Sequence, residues 1–132
     1  MLLINLIVGH AQSSKGNLTI ISEDNHAFYL YLNGIQYNQH PALAVRVEQI
    51  ASKTVNCRIV YPHSRLTDII HQNLAIADDS GYMQDITYTV SSNKGKKGFS
   101  VYHVIPLEPI QINQDDIQMY RFNQPKIITK ME

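Results

Sequence analysis

Residues 28–47 read FYLYLNGIQYNQHPALAVRV, and no other stretch constrains the fold as tightly. Phe28, Leu30 and Leu32 alternate with Tyr29 and Tyr31, a period of two that puts the two sets on opposite faces of a strand. Asn33 and Gly34 follow, two residues that tolerate the positive φ required by a type I′ hairpin turn. Residues 35–38 then form a short return limb. His40 precedes Pro41, and the position before a proline is biased toward extended geometry, which suits a link between strands. Beyond it Leu43, Val45 and Val47 alternate with Ala44, Arg46 and Glu48, giving a second half-buried strand.

The same alternation recurs along the chain. Val55, Cys57, Ile59 and Tyr61 share one face of a strand over 55–61, with Asn56 and Arg58 on its wet side. Ile86, Tyr88 and Val90 alternate with Asp85, Thr87 and Thr89. Residues 91–98 (SSNKGKKG) are an exposed basic tip from which 99–105 return as the partner strand. Shorter β-prone runs occupy 18–22, 73–77 and 117–122, while 23–26 and 78–81 carry turn chemistry. Over 64–72, Leu66, Ile69 and Ile70 show helical spacing behind Ser64, so this segment is expected to be irregular with a single helical turn. Short strands, frequent turns and no helix of three turns predict an all-β fold, an antiparallel β-sandwich, as a single domain over residues 13–132.

Residues 1–12, MLLINLIVGHAQ, contain no charged side chain, and the apolar run 2–8 is far shorter than the ~20 residues that span a bilayer. Gly9, His10 and Ala11 place small residues where a signal peptidase cuts. Residues 1–12 are therefore expected to be a signal peptide, truncated at its start because a basic n-region is missing, and the protein to be exported to the periplasm or cell surface. The alternative is a buried first strand. Eleven basic and eleven acidic residues balance, so no bulk charge steers the chain to nucleic acid or to an anionic membrane. Cys57 is the sole cysteine; set in an apolar alternation, it is expected to be a buried, inert thiol.

Four pieces carry a family resemblance: NLTIISEDNHAFYLYLNGIQYN, PALAVRVEQI, VNCRIVYP and QDITYTVSSNKGKKGFSVYHVIP. Together they resemble the N-terminal domain type of uncharacterised exported proteins of the Bacteroidetes phylum, over about two-thirds of the chain by pattern and spacing. The most distinctive residues are Ser22-Glu23-Asp24 before the aromatic strand, Leu32-Asn33-Gly34 and Asn38. Longer members append a C-terminal domain, which this chain is expected to lack. More loosely, FYLYLNG, Pro41 and LAVRV look like the PEGA motif, a small surface-associated β-module; Gln39-His40-Pro41 replaces its Gly-x-Thr-Pro. The resemblance implies an immunoglobulin-like sandwich and supplies no catalytic residues.

Chemistry-bearing motifs are sparse. Six histidines occur without the close spacings that metal sites use, and His103, on a face with Phe99, Val101 and Ile105, reads as a packed histidine. Glu23-Asp24-Asn25, Asp78-Asp79-Ser80-Gly81 and Asp115-Asp116 lack the alternating carboxylates and closing Glu of a calcium loop, and read as turn chemistry. No G-x-S-x-G and no glycine-rich phosphate loop is present. No metal, cofactor or catalytic residue is expected. Two candidate contact surfaces remain: the aromatic face of Tyr29 and Tyr31, and the hairpin tip with Lys94, Lys96 and Lys97. The tyrosine face is solvent-exposed if the strand lies in a two-layer sandwich, and buried if the strand is covered on both sides.

The leading expectation is a non-catalytic exported binding or assembly module at the bacterial cell envelope, contacting a protein or polysaccharide. The alternative is a small hydrolase or metal-dependent enzyme with a His/Asp site assembled in space, which requires those side chains to converge in a cleft. A homo-oligomer through edge strands such as 117–122 is a further expectation. Nucleic acid and a transmembrane segment are not expected.

Overall fold

The computed structural model describes residues 15–63, 65–93, 98–103 (backbone alone from 100) and 117–124. The expected signal peptide, the three tip lysines, the His103 side chain and Asp115-Asp116 lie outside these descriptions. The described residues form nine strands: β1 (Gly16–Ser22), β2 (Tyr29–Leu32), β3 (Ile35–Gln36), β4 (Ala44–Ile50), β5 (Thr54–Val60), β6 (Ile69–Ala75), β7 (Asp85–Ser91), β8 (Gly98–His103) and β9 (Gln118–Arg121). There is no helix among the described residues, hence none long and apolar enough to cross a membrane. A five-stranded sheet has the order β8-β7-β1-β4-β9 and a four-stranded sheet the order β3-β2-β5-β6.

The core follows from period two. Leu18 and Ile20 of β1, Val45 and Val47 of β4, and Ile86, Tyr88 and Val90 of β7 form one buried cluster with Leu30 and Leu32 of β2 and Val55, Cys57 and Ile59 of β5. Two sheets sharing one apolar layer make a β-sandwich. Fully burying each such side chain contributes about 1.5–3 kcal/mol. The chain changes sheets through Pro41, after which Ala42 exchanges both backbone hydrogen bonds with Phe28 at 2.9 and 3.0 Å. Between β2 and β3, Asn33 and Gly34 have φ of 51° and 84° and connect the paired Leu32 and Ile35. At Gly16 the two sheets come close: a Cβ there would lie 2.6 Å from the Gln84 carbonyl oxygen and 2.7 Å from Ile76 Cγ2, so only glycine fits.

Three features differ from the sequence expectations. First, the five-stranded sheet is mixed, because β1 pairs with β7 and β4 with β9 in parallel. Parallel neighbours need a long crossover. Here β2 to β6, the whole second sheet included, lie between β1 and β7 in the chain. Second, the segment expected to carry a helical turn holds β6, which starts at Ile69. Its alternation is hidden by a bulge: Val55 faces Leu74 while Cys57 faces His71, leaving one extra residue in β6, with Asn73 at φ 57°. Third, Leu43 is 42% exposed and Ala44 is buried, the reverse of the expected faces, because β4 begins only at Ala44.

Both lateral edges of the sandwich are closed by aromatic side chains. On one side Tyr37, 1% exposed, meets Tyr120 edge-on at 6.1 Å and its hydroxyl accepts the Asn123 N–H at 2.9 Å. On the other, Tyr88, Phe99 and His71 form a chain of edge-to-face contacts at 6.2 and 5.6 Å. The Tyr88 hydroxyl there donates to the Ala75 carbonyl at 2.8 Å, tying the two sheets together.

Candidate functional site

The outer faces of the two sheets differ in chemistry. On the five-stranded sheet the Arg46 guanidinium has four of its five N–H groups engaged. It donates to both Asp85 carboxylate oxygens at 3.0 and 2.8 Å, to Glu48 at 2.8 Å and to the Thr19 hydroxyl at 2.9 Å. Such a network offers little to a ligand.

On the four-stranded sheet the outward residues are less committed. Tyr31 pairs with Gln36 of β3 and Arg58 of β5, and Arg58 pairs in turn with Ile70 of β6, so the four form a row across the sheet. The Arg58 guanidinium lies 5.6 Å from the Tyr31 ring centroid and donates to Asp68 at 3.0 and 2.6 Å. The Tyr31 hydroxyl donates to Gln36 at 3.0 Å. Ile70, at the end of the row on β6, is 65% exposed. Tyr31, Gly34, Asn56, Cys57, Arg58, Ile70 and Gln72 enclose a shallow depression of about 220 Å³.

One end of this depression is stiffened by asparagines. The Asn56 N–H donates to Asn33 Oδ1 at 2.8 Å, and Asn56 Oδ1 accepts the Asn73 N–H at 3.0 Å. Because Oδ1 serves a backbone donor, the orientation of the Asn56 amide is fixed, and its Nδ2 has no partner among the described residues. The side-chain amide of Gln72 and the Arg58 Nη1 are likewise uncommitted within the described residues. The Cys57 thiol faces the core, and burial pushes its pKa far above the ordinary range, so it is no nucleophile.

Of the residues singled out by sequence, Tyr29 and Tyr31 share the outer face of β2 and both are half-buried, but only Tyr31 lines the depression. Lys94, Lys96 and Lys97 lie outside the described residues. Arg58 and Asn56 were placed on the wet side of their strand by alternation, with nothing to join them to Tyr31. Ile70 and Gln72 were missed. The signal for Ile70 is the Ile69-Ile70 pair: in a strand, adjacent residues face opposite ways, so one of the two must point outward.

Other clusters have structural roles. Asp24 accepts from the Ser92 hydroxyl at 2.6 Å and the Ser92 N–H at 2.8 Å, and from the Ser22 hydroxyl at 3.2 Å. Burial pushes the Asp24 carboxyl up, but these hydrogen bonds outweigh it and hold its pKa below the usual carboxylate value. Asp78 accepts from the Ser80 and Tyr82 N–H groups at 3.0 and 2.9 Å, an Asx-type turn. His26 packs edge-on against Tyr61, and His71 against Phe99. Among the described residues no three His, Cys, Asp or Glu side chains come together as a metal site. Comparison with protein-family models, with curated proteins and with solved structures found no match.

Proposed function

We propose that this chain is a non-catalytic, exported binding module of the cell envelope, and that its contact surface is the outer face of β3-β2-β5-β6. The observation that carries the reading is Ile70, 65% exposed, which lines one depression together with Tyr31, with Arg58 between them and polar groups around them that are uncommitted within the described residues. An exposed aliphatic chain and an amphipathic ring that line one depression supply the apolar contacts that a partner can use. Export is supported by the signal-like composition of residues 1–12 and by the resemblance to exported Bacteroidetes proteins. The finer class, immunoglobulin-like or PEGA-like, rests on the two-sheet architecture and the Asn33-Gly34 hairpin. With β1 between β4 and β7, the strand order departs from that of constant-type immunoglobulin domains. The general sandwich, not that topology, supports the function. In this reading the partner is an envelope protein or polysaccharide, and β9, the last strand of its sheet among the described residues, offers a route to self-association.

The test is retention of the full chain by fractionated envelope, compared with the Tyr29→Ser/Tyr31→Ser double variant at two salt concentrations. Retention by one fraction that the double variant loses, with a melting temperature lowered by only a few degrees, is the expected result. Aromatic contact also predicts little salt dependence. Equal retention of wild type and variant overturns the reading, as does no retention of either.

A further inference from the structure

We infer that the ligand of this face is a neutral glycan, one sugar ring of which seats against Tyr31 and Ile70 while Asn56, Gln72 and Arg58 bind its hydroxyl edge. This rests on the binding reading above and names the class of ligand. Three properties of the depression lead to it.

Size comes first. About 220 Å³ lies below the 300–1,000 Å³ of sites that enclose drug-sized ligands or cofactors, so the depression takes one small unit of something larger. Its open, shallow shape suits a unit that remains attached to a chain running across the sheet.

Charge is the second property. Arg58 is the only cation lining the depression among the described residues, and Asp68 pairs with it through two hydrogen bonds. The pair brings no net charge to the depression, so it favours neither a polyanion nor a polycation. What remains is neutral donor and acceptor capacity: Asn56 Nδ2, the Gln72 amide and Arg58 Nη1. These are mostly donors, and hydroxyl and ring oxygens accept from them.

The third property is the distribution of apolar surface. A stable protein interface buries about 800 Å² on each partner around an apolar, aromatic-rich core. Of the four large apolar side chains most exposed among the described residues, only Ile70 belongs to a strand of this sheet. One isoleucine and one half-buried tyrosine, on either side of Arg58, are too little for that core; lining one small depression, they offer the few apolar contacts that a pyranose can use. The polar groups are also pre-positioned: Arg58 by Asp68 and the Tyr31 ring, Asn56 by Asn33 and Asn73. Less ordering entropy is therefore lost when a ligand arrives.

The test is an amide-resolved NMR titration of the full chain with neutral hexasaccharides (cellohexaose, mannohexaose, laminarihexaose), with oligogalacturonate as the anionic comparator. Binding of at least one neutral hexasaccharide at millimolar concentration is expected, with shifts confined to β2, β5 and β6 and little salt dependence. Ile70→Ala and Gln72→Ala change exposed side chains and leave the fold intact; each weakens binding about tenfold. No binding of any neutral hexasaccharide overturns the inference, as do unchanged affinities in both variants or tighter, salt-sensitive binding of oligogalacturonate. If the Tyr29→Ser/Tyr31→Ser variant still loses envelope retention while no glycan binds, the glycan assignment falls and the binding face stands. If retention is indifferent to that variant as well, both fall.

Discussion

Asn38 extends the pairing of β2 beyond the two residues of β3. Fully buried, it accepts the Leu30 N–H at 2.8 Å and donates to the Phe28 and His40 carbonyls, both at 2.9 Å. The side chain thus supplies hydrogen bonds that a longer edge strand would have made through its backbone. Asn38→Ala leaves the buried Leu30 N–H without its partner and takes one hydrogen bond from each of two carbonyls, of which Phe28 keeps the Ala42 N–H, and the expected loss is about 2 kcal/mol. The check is a lower urea midpoint at unchanged slope, since a changed slope would mean a rearranged native state. Asn38 is visible in the sequence as part of a distinctive pattern, but its burial is not. An asparagine after a short return limb reads as one more turn residue until the carbonyls it must satisfy are in view. The same holds for Ile70, whose exposure depends on which strand lies beside β6.

At the scale of elements, legibility follows the range of the interaction. A half-buried strand writes its two faces as a period of two, so β2, β5 and most of β7 can be read directly, with Leu30, Leu32, Val55, Cys57 and Ile59 buried as their spacing requires. Bulges defeat that reading. In β4 the extra residue near Gln49, at φ 65°, lets Val47 and Ile50 both face the core although they are three apart. In β6 the extra residue near Asn73 puts His71 and Leu74, three apart, opposite Cys57 and Val55, which are two apart, and breaks the period of two. Pairing partners are less legible still, because no local pattern records that β1 lies between β4 and β7. Asp24 shows how such distant elements are joined: it ties the β1–β2 link to Ser92, just past β7. Its depressed pKa makes that tie pH-dependent. Since the folded value lies below the unfolded one of about 3.9, the contribution is present above that pH and is lost as pH falls through the folded pKa. Asp24→Asn removes this component. The variant is expected to be less stable than wild type at pH 7 and to lose less on acidification below about pH 4, as read from urea midpoints across that range.

The whole molecule is a sandwich whose sheets are held by a shared apolar layer in the middle and by one tyrosine hydroxyl at each lateral edge. Tyr37 bonds the Asn123 N–H on the β3/β9 side, and Tyr88 bonds the Ala75 carbonyl on the side of β6 and β8. Both rings are buried, so Tyr37→Phe and Tyr88→Phe keep the packing and delete only the hydrogen bond, each at an expected loss of about 1 kcal/mol. The two bonds share no partner and sit on opposite edges. If the core layer is rigid enough to isolate them, the double variant loses the sum to within about 0.5 kcal/mol, and its melting temperature falls by about 6–10 °C. The direction of any departure is informative. A double loss well above the sum means that opening one edge loosens the other, so the two sheets respond as hinged plates and the four-stranded sheet is not an independent platform. Additivity means that the β3-β2-β5-β6 face keeps its shape whatever happens at either edge, which is the mechanical property a preformed contact surface needs. Thermal melts of the four proteins in one buffer decide between these behaviours, and additivity is the expected result.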